Sequence, residues 1–186
     1  MRLNYNAPTT LTFTFLAAAV LALSATVAPG LTQSWFSTPA PFHANQMQDW
    51  IKLFTHPLGH ANLDHFLSNF SFILLLGPIL EVTYGSLGIL LMMVVTALVT
   101  GVLNVLLFPN TVLLGASGIV FMMILLASIT NFEKGQIPLT FVLVLLLFLG
   151  KEVYSALAVR DNISHFTHII GGLTGSFIGF LRPRKN

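Results

Sequence analysis

The feature that most constrains this chain is a long apolar stretch, residues 87–108, that contains no acidic, basic or histidine side chain. About 20 such residues are enough to cross the hydrocarbon core of a bilayer as an α-helix. Only 8% of the 186 residues are charged and the mean hydropathy is +0.84, whereas a soluble domain carries about 25% charged residues. The sequence therefore predicts an integral membrane protein, and it argues against a soluble enzyme, a disordered chain or a nucleic-acid-binding protein.

Five further apolar stretches, separated by turn signals, bring the predicted number of membrane-spanning helices to six. The six predicted spans are 11–28, 65–84, 87–108, 111–130, 137–158 and 164–181. Together they form one membrane domain, 1–186, with a short N-terminal segment 1–10, a first outer loop 30–64 and a basic tail 182–186. Trp35 and Trp50 in that loop favour a structured element at the membrane interface.

The distribution of Lys and Arg predicts the orientation of the chain. Five basic residues lie on the side of the two termini and three on the other, which favours cytoplasmic ends. The two groups are Arg2, Lys134, Arg182, Arg184 and Lys185 against Lys52, Lys151 and Arg160.

Polar side chains interrupt spans two, four and six near residues 60–69, 115–118 and 165–171. These spans run in the same direction, so the three segments are expected to meet on the outer side. At about 1.5 Å per residue, Ser117 and His168 both lie roughly 10 Å below the surface of a core about 30 Å thick. Polar groups at such depth are costly, and the matched depth of these two therefore indicates a function.

A serine and a histidine at the same depth can form a catalytic pair. A hydroxyl becomes a nucleophile when a neighbouring base takes its proton, and neutral imidazole is the usual base. We therefore predict a dyad of Ser117 and His168 without a carboxylate, since Asp64 and Asp161 fall in predicted loops. Developing negative charge on the attacked oxygen needs donors; the candidates are the side chains of His65 and Asn69, on one helix face, and the Ser117 backbone N–H.

Glycines accompany both proposed catalytic residues. Gly115 and Gly118 are expected to allow a tight turn and a close backbone approach around the serine. Gly171, Gly175 and Gly179 form a stripe of small residues on span six, which is expected to bring span four close to it.

The other histidines and the composition limit alternative chemistry. His43, His56 and His165 are interpreted as solvated interfacial side chains. The chain has no cysteine, which excludes a thiolate site, and His65 and Asn69 lack further ligands at the spacing that zinc requires. We predict no metal ion and no cofactor.

Three motifs resemble the rhomboid family of intramembrane serine proteases. Segment 54–69 resembles the family's His-x4-His-x3-Asn run, segment 115–118 its Gly-x-Ser-Gly, and segment 168–175 its catalytic histidine with the glycine stripe. The similarity covers roughly residues 50–180. The three motifs are specific together, because they occur in this order on spans two, four and six.

The resemblance implies an all-α bundle of six transmembrane helices in the plasma membrane, with Ser117 as nucleophile and His168 as general base. Its substrates would be single-span or polytopic membrane proteins, cleaved near the outer surface of the bilayer. Span four departs from the family at Phe121, where Tyr is often found, and at Leu125, where Gly is frequent. The resemblance places the remaining site residues in oxyanion or substrate binding (His65, Asn69, Gly118) and in structural support (His60, Gly115, Gly171).

Three other functions are left open by the sequence. A non-catalytic relative would bind and retain membrane proteins, although such relatives typically lack the serine or the histidine. A small transporter or channel would predict charged residues near the midplane or broken helices in paired repeats, which are not seen here. A specialised peptidase on the same fold would recognise a C-terminal sorting tail.

Overall fold

The structure is a computed structural model that describes residues 3–130 and 164–181, together with positions 139, 142, 143, 146, 147 and 150. Over these residues the secondary structure is helical without β-strands, which confirms the predicted all-α fold. The helices are α1 (Pro8–Thr26), α2 (Leu31–Trp35), α3 (Met47–Thr55), α4 (Leu63–Tyr84), α5 (Ser86–Leu107), α6 (Ser117–Thr130) and α7 (Ser164–Leu181), with a 3-10 turn at His56–Leu58.

The long apolar helices correspond to the predicted spans. Helices α1, α4 and α5 are long and apolar enough to cross a membrane, and α6 and α7 contain shorter apolar segments. The observed ends of α1, α4, α5 and α7 lie within three residues of the predicted ends. The predicted fifth span, 137–158, lies outside the described residues except for the isolated positions given above.

The predicted start of span four was wrong, because α6 begins at Ser117 and not at residue 111. Segment 111–116 is as apolar as a helix but is not helical. The first loop, predicted at 30–64, runs in the structure from residue 27 to 62, between α1 and α4. Backbone groups of segment 111–116 are paired with this loop. Thr38 N–H donates to the Leu113 carbonyl at 2.8 Å, and Gly115 N–H donates to the His56 carbonyl at 3.1 Å. Non-helical backbone is tolerated at membrane depth where the protein itself satisfies it.

The first loop is anchored to α5 as well as to segment 111–116. The Asn104 side chain donates to Thr38 Oγ1 at 3.0 Å and to the Thr111 carbonyl at 2.7 Å, and Thr38 Oγ1 accepts from Leu113 N–H at 2.8 Å. A Cβ atom on Gly101 of α5 would lie only 2.8 Å from the Leu53 carbonyl of α3. The loop is therefore part of the packed bundle, and it fixes the chain that leads to Ser117.

The opposite end of the bundle is fixed by the buried carboxylate of Glu81, near the end of α4. It accepts hydrogen bonds from the Thr9 and Thr10 backbone N–H groups at 2.9 and 3.1 Å, and from Thr10 Oγ1 at 2.9 Å. The first N–H groups of a helix lack partners within the helix, and a carboxylate there is also favoured by the helix dipole. Glu81 thus caps α1 from a neighbouring helix.

Helix α7 packs against α6, as its glycine stripe predicts for span four, and it packs against α5 as well. A Cβ atom on Gly171 would clash with Thr100 of α5, whereas one on Gly179 would clash with Leu126 of α6 and with Met92 of α5. The stripe lies between both helices because α5 and α6 are adjacent at this level.

Helix α7 also approaches α6 closely at Gly172, which the sequence analysis missed. A Cβ atom there would lie 2.5 Å from the Phe121 ring and 3.1 Å from the Gly118 carbonyl. Gly172 lies next to the predicted stripe in sequence, and only the packing angle of the helices distinguishes it.

Candidate active site

Ser117 and His168 are in contact inside the bundle. Ser117 Oγ lies 2.8 Å from Nδ1 and 3.3 Å from Nε2 of His168, and the two residues are only 7% and 5% exposed. The first residue of α6 and the second turn of α7 supply the pair. Because both distances permit a hydrogen bond, the hydroxyl can donate to either ring nitrogen.

The turn before Ser117 determines where its hydroxyl and its N–H lie. Gly115 has a φ angle of +107°, a conformation that favours glycine. The Ala116 carbonyl accepts from Val120 N–H at 2.9 Å, so Ser117 is the first residue with helical geometry. Its own N–H therefore has no partner within the helix, and it lies beside its reactive side chain.

His65 and Asn69 border the Gly115 turn. A Cβ atom on Gly115 would lie 2.6 Å from His65 Nε2 and 3.6 Å from Asn69 Nδ2, so only glycine fits between them and the backbone. Ala61 N–H donates to His65 Nδ1 at 3.5 Å, which favours the tautomer with its proton on Nε2. Both side chains therefore carry an N–H on the atom nearest to this turn.

His60 orients the amide of Asn69. Asn69 Nδ2 donates to His60 Nε2 at 3.2 Å, while His60 Nδ1 faces the Leu58 carbonyl at 3.4 Å. The carbonyl can only accept, so Nδ1 carries the ring proton and Nε2 accepts from the amide. An asparagine amide has two N–H groups, and this contact uses one of them, leaving a second donor on Asn69.

Two histidines of the first loop, outside the spanning helices, are held neutral. Burial, with a smaller contribution from the neighbouring His65, lowers the pKa of His60 from 6.5 to about 4. Burial likewise lowers the pKa of His56 to about 4, against the opposing effect of its hydrogen bond to Ala97. A neutral His60 is what allows Nε2 to accept from Asn69.

The expectation that His56 is solvated was wrong. The residue is 1% exposed, its Nε2 donates to the Ala97 carbonyl of α5 at 3.1 Å, and its own carbonyl accepts from Gly115 N–H. No pattern in the sequence indicates this burial, because the surrounding Pro, Thr and Gly residues suit an exposed turn. His43 is about half exposed but lies 3.4 Å from Asp49.

The expectation that Asp64 lies in a loop was also wrong. Asp64 lies in the first turn of α4 and not in a loop, because Asn62 caps that helix by accepting from His65 N–H at 2.8 Å. The side chain of His165 lies outside the described part of the chain. Among the described residues, no group of three or more His, Cys, Asp or Glu side chains is placed to hold a metal ion.

Gly118 and Gly171 lie where helices meet beside the dyad. A Cβ atom on Gly118 would be 3.3 Å from Thr100 Oγ1 and 3.7 Å from His168 Cα. Gly118 thus allows α5 and α7 to approach Ser117, and its assignment to oxyanion or substrate binding stays a prediction. Phe121 is buried against Gly172, one turn along α6 from Ser117, so its ring packs without needing a hydroxyl.

These observations define the class of the protein as a membrane-embedded α-helical bundle with a buried hydroxyl–imidazole pair at one end. The family model described as Rhomboid domain matches residues 47–185. Rhomboid-related protein 1 of Caenorhabditis elegans is 32% identical over 134 residues, which cover 66% of this chain and 37% of that protein. Rhomboid-like protein 11, chloroplastic, of Arabidopsis thaliana is 26% identical over 146 residues, which cover 71% and 52%.

The chain belongs to the rhomboid family, since the family model covers most of its length. It spans about a third to a half of the length of these curated relatives. The match includes all the residues that form the candidate active site, from His56 to His168.

Proposed function

We propose that this protein is an intramembrane serine endopeptidase that hydrolyses peptide bonds in or near the membrane-spanning segments of other membrane proteins. The observation that carries the proposal is the 2.8 Å contact between Ser117 Oγ and His168 Nδ1, buried inside an apolar bundle. A buried hydroxyl in a membrane helix commonly donates to a carbonyl of its own helix. Ser117 instead faces a base, which is the arrangement that activates a nucleophile.

The proposed mechanism has an acylation and a deacylation step. The Ser117 oxygen attacks the carbonyl carbon of the scissile bond while His168 takes the hydroxyl proton. The resulting oxyanion accepts hydrogen bonds from the Ser117 N–H and from the side chains of His65 and Asn69. As the C–N bond breaks, His168 gives its proton to the leaving amine, and an ester remains on Ser117.

Deacylation repeats these steps with water. His168 takes a proton from a water molecule, the hydroxide attacks the ester carbon, and the Ser117 oxygen leaves with the proton that His168 returns. Every proton is exchanged between the dyad and the reactants, so the mechanism proposes no cofactor. In the proposed setting, a cell membrane with both termini in the cytoplasm, the Ser117 end faces the exterior.

The decisive experiment compares wild type with Ser117→Ala and His168→Ala on a set of single-span model substrates in proteoliposomes. We expect cleavage to fall at least about 10³-fold in both variants. Ser71→Ala is the matched control, because Ser71 is exposed and donates to a carbonyl of its own helix; it should retain wild-type activity. Thermal midpoints of all four proteins show whether a loss of activity reflects unfolding.

Labelling with a fluorophosphonate tests the nucleophile independently of the substrate. Wild type should be labelled at Ser117, and labelling should be lost in His168→Ala. If folded wild type neither cleaves any substrate of the set nor reacts with the probe, the catalytic proposal is contradicted, and a non-catalytic binding protein becomes the better interpretation of the same fold.

A further inference from the structure

The short helix α3 of the first loop exposes several large apolar side chains and buries an acidic one. Its apolar side chains Met47, Trp50 and Phe54 are 74%, 45% and 45% exposed, whereas Asp49 is only 3% exposed. An amphipathic helix lies with its apolar face in the lipid boundary. The exposed apolar face of α3 therefore suits the boundary of a bilayer, and Asp49 lies on the opposite, buried side.

Asp49 and Lys52 line a pocket of about 300 Å³ between α3, the preceding part of the first loop and the start of segment 111–116. The volume suits a small polar group. The polar side chains of the pocket are Gln33, Ser37, Thr38, His43, Asp49 and Lys52. The pocket therefore contains a carboxylate and an ammonium group next to a helix face that suits the boundary of a bilayer.

The two oxygens of the carboxylate in this pocket have different partners. Asp49 Oδ2 accepts from the His43 backbone N–H at 2.9 Å and lies 3.4 Å from its ring. Asp49 Oδ1 lies 3.8 Å from Lys52 Nζ, which is an ion-pair distance but too long for a hydrogen bond. Buried carboxylates are normally satisfied by several donors, so Oδ1 has capacity for a donor that occupies the pocket.

We propose that this pocket binds the headgroup of a phospholipid that carries a primary amine, with the ammonium on Asp49 and the phosphate on Lys52. The two charges of the pocket match the two charges of such a headgroup, and the bilayer beside α3 supplies the ligand. A choline headgroup has no N–H to donate to Asp49, and a glycerol headgroup has no cation. The proposal does not depend on the peptidase activity.

The test measures binding of short-chain phosphatidylethanolamine to the detergent-purified full chain by native mass spectrometry. Phosphatidylcholine and phosphatidylglycerol with the same acyl chains are run in parallel, and soluble phosphoethanolamine provides the headgroup without a lipid. We expect one ethanolamine lipid per chain, bound about tenfold or more tightly than the other two lipids. Phosphoethanolamine should bind more weakly than the lipid, because it lacks the acyl contacts with α3.

Two nearly isosteric variants test the two halves of the pocket. Asp49→Asn and Lys52→Gln should each weaken binding of the ethanolamine lipid about tenfold or more, and Lys52→Arg should restore most of it. Gln46→Ala is the control, because Gln46 is exposed beside α3 and does not line the pocket. Thermal midpoints identify a variant that fails to fold. If Asp49→Asn does not fold, the comparison of Lys52→Gln with Lys52→Arg tests the proposal.

Equal affinity for the three lipids would overturn the proposal, as would binding that is unchanged in both Asp49→Asn and Lys52→Gln. If phosphoethanolamine binds as tightly as the lipid, the proposal is also contradicted, because the pocket would then bind a soluble ligand and not a lipid. Because every measurement is of binding, failure here leaves the dyad proposal untouched, and loss of cleavage in Ser117→Ala leaves this one untouched.

Discussion

The two ends of this helical bundle both bury polar side chains among apolar ones, but they use them differently. At the Glu81 end, the carboxylate accepts three hydrogen bonds from Thr9 and Thr10 and a further one from the Ser86 side chain, so the group is saturated. At the Ser117 end, Asn69 keeps a second amide N–H, and the Ser117 N–H has no partner within its helix. Saturated groups serve the fold, whereas groups with remaining donors can bind a reactant.

The largest effect that sharpens this comparison is expected for Asn69→Ala. Removing one donor to an oxyanion costs about 10²–10³ in kcat, so cleavage and fluorophosphonate labelling should both fall by that factor. Asn45→Ala, an exposed position in the first loop, is the control. If Asn69→Ala lowers the thermal midpoint but leaves kcat per folded molecule unchanged, Asn69 belongs with the structural groups of the other end.

Glu81→Ala tests the saturated end. It leaves two buried backbone N–H groups of α1 without an acceptor, so we expect a loss of about 3 kcal/mol in the free energy of unfolding. The rate of fluorophosphonate labelling per folded molecule should be unchanged, because Glu81 does not contact the dyad. Thr83→Ala is the nearby control, since Thr83 donates only to its own helix at 3.1 Å; its midpoint should stay close to wild type.

Acidification should destabilise the Ser117 end through His56 and His60. Both have a pKa of about 4 in the folded protein against 6.5 otherwise, so the unfolded chain binds more protons. Their contribution to stability is complete above pH 6.5 and is lost as the pH falls from 6.5 towards 4. At pH 5.5 each ring should account for about 1.4 kcal/mol of lost stability.

This pH dependence is checked by thermal midpoints at pH 7.5 and 5.5. His60→Gln should show a smaller drop between the two pH values than wild type. A wild-type midpoint that does not change over this interval would contradict the neutral, buried state of both rings.

The smallest expected effect is that of Thr10→Val. The variant keeps the shape of the side chain against Gly77 but removes the hydrogen bond from Thr10 Oγ1 to Glu81. We expect a loss of about 1 kcal/mol, clearly less than for Glu81→Ala. A loss as large as that of Glu81→Ala would mean that the cap depends on Thr10 packing and not on the number of donors.

Most of the fold was predictable because an apolar stretch of about 20 residues in a membrane protein crosses the bilayer as an α-helix. The ends of α7 were predicted to the residue and those of α1, α4 and α5 within three residues. The start of α6 was not, because hydropathy records the apolar character of segment 111–116 and not the partners of its backbone groups. Those partners, Thr38 and His56, are far away in sequence, so no local pattern reveals them.

The sequence predicted which residues belong to the candidate site better than it predicted the contacts that hold those residues in place. The sequence indicated Ser117, His168, His65 and Asn69 from depth, direction and helix spacing. The structure brings Ser117 into contact with His168 and places His65 and Asn69 beside Gly115. The sequence did not indicate that His60 engages the Asn69 amide, that His56 is buried beneath the Gly115 turn, or that Gly172 meets α6. These contacts depend on how the first loop folds back on α5 and on the angle between α6 and α7.

The sequence by itself determined that this chain lies in a membrane, that its polar clusters meet at one end, and which hydroxyl and imidazole are candidates for chemistry. It could do so because the cost of burying polar groups in lipid makes each exception informative. Only the tertiary structure decided which buried polar groups are saturated and which keep a donor or an acceptor available. Hydrogen-bond capacity depends on distances between residues that are remote in sequence, and only the packed helices and the first loop fix those distances.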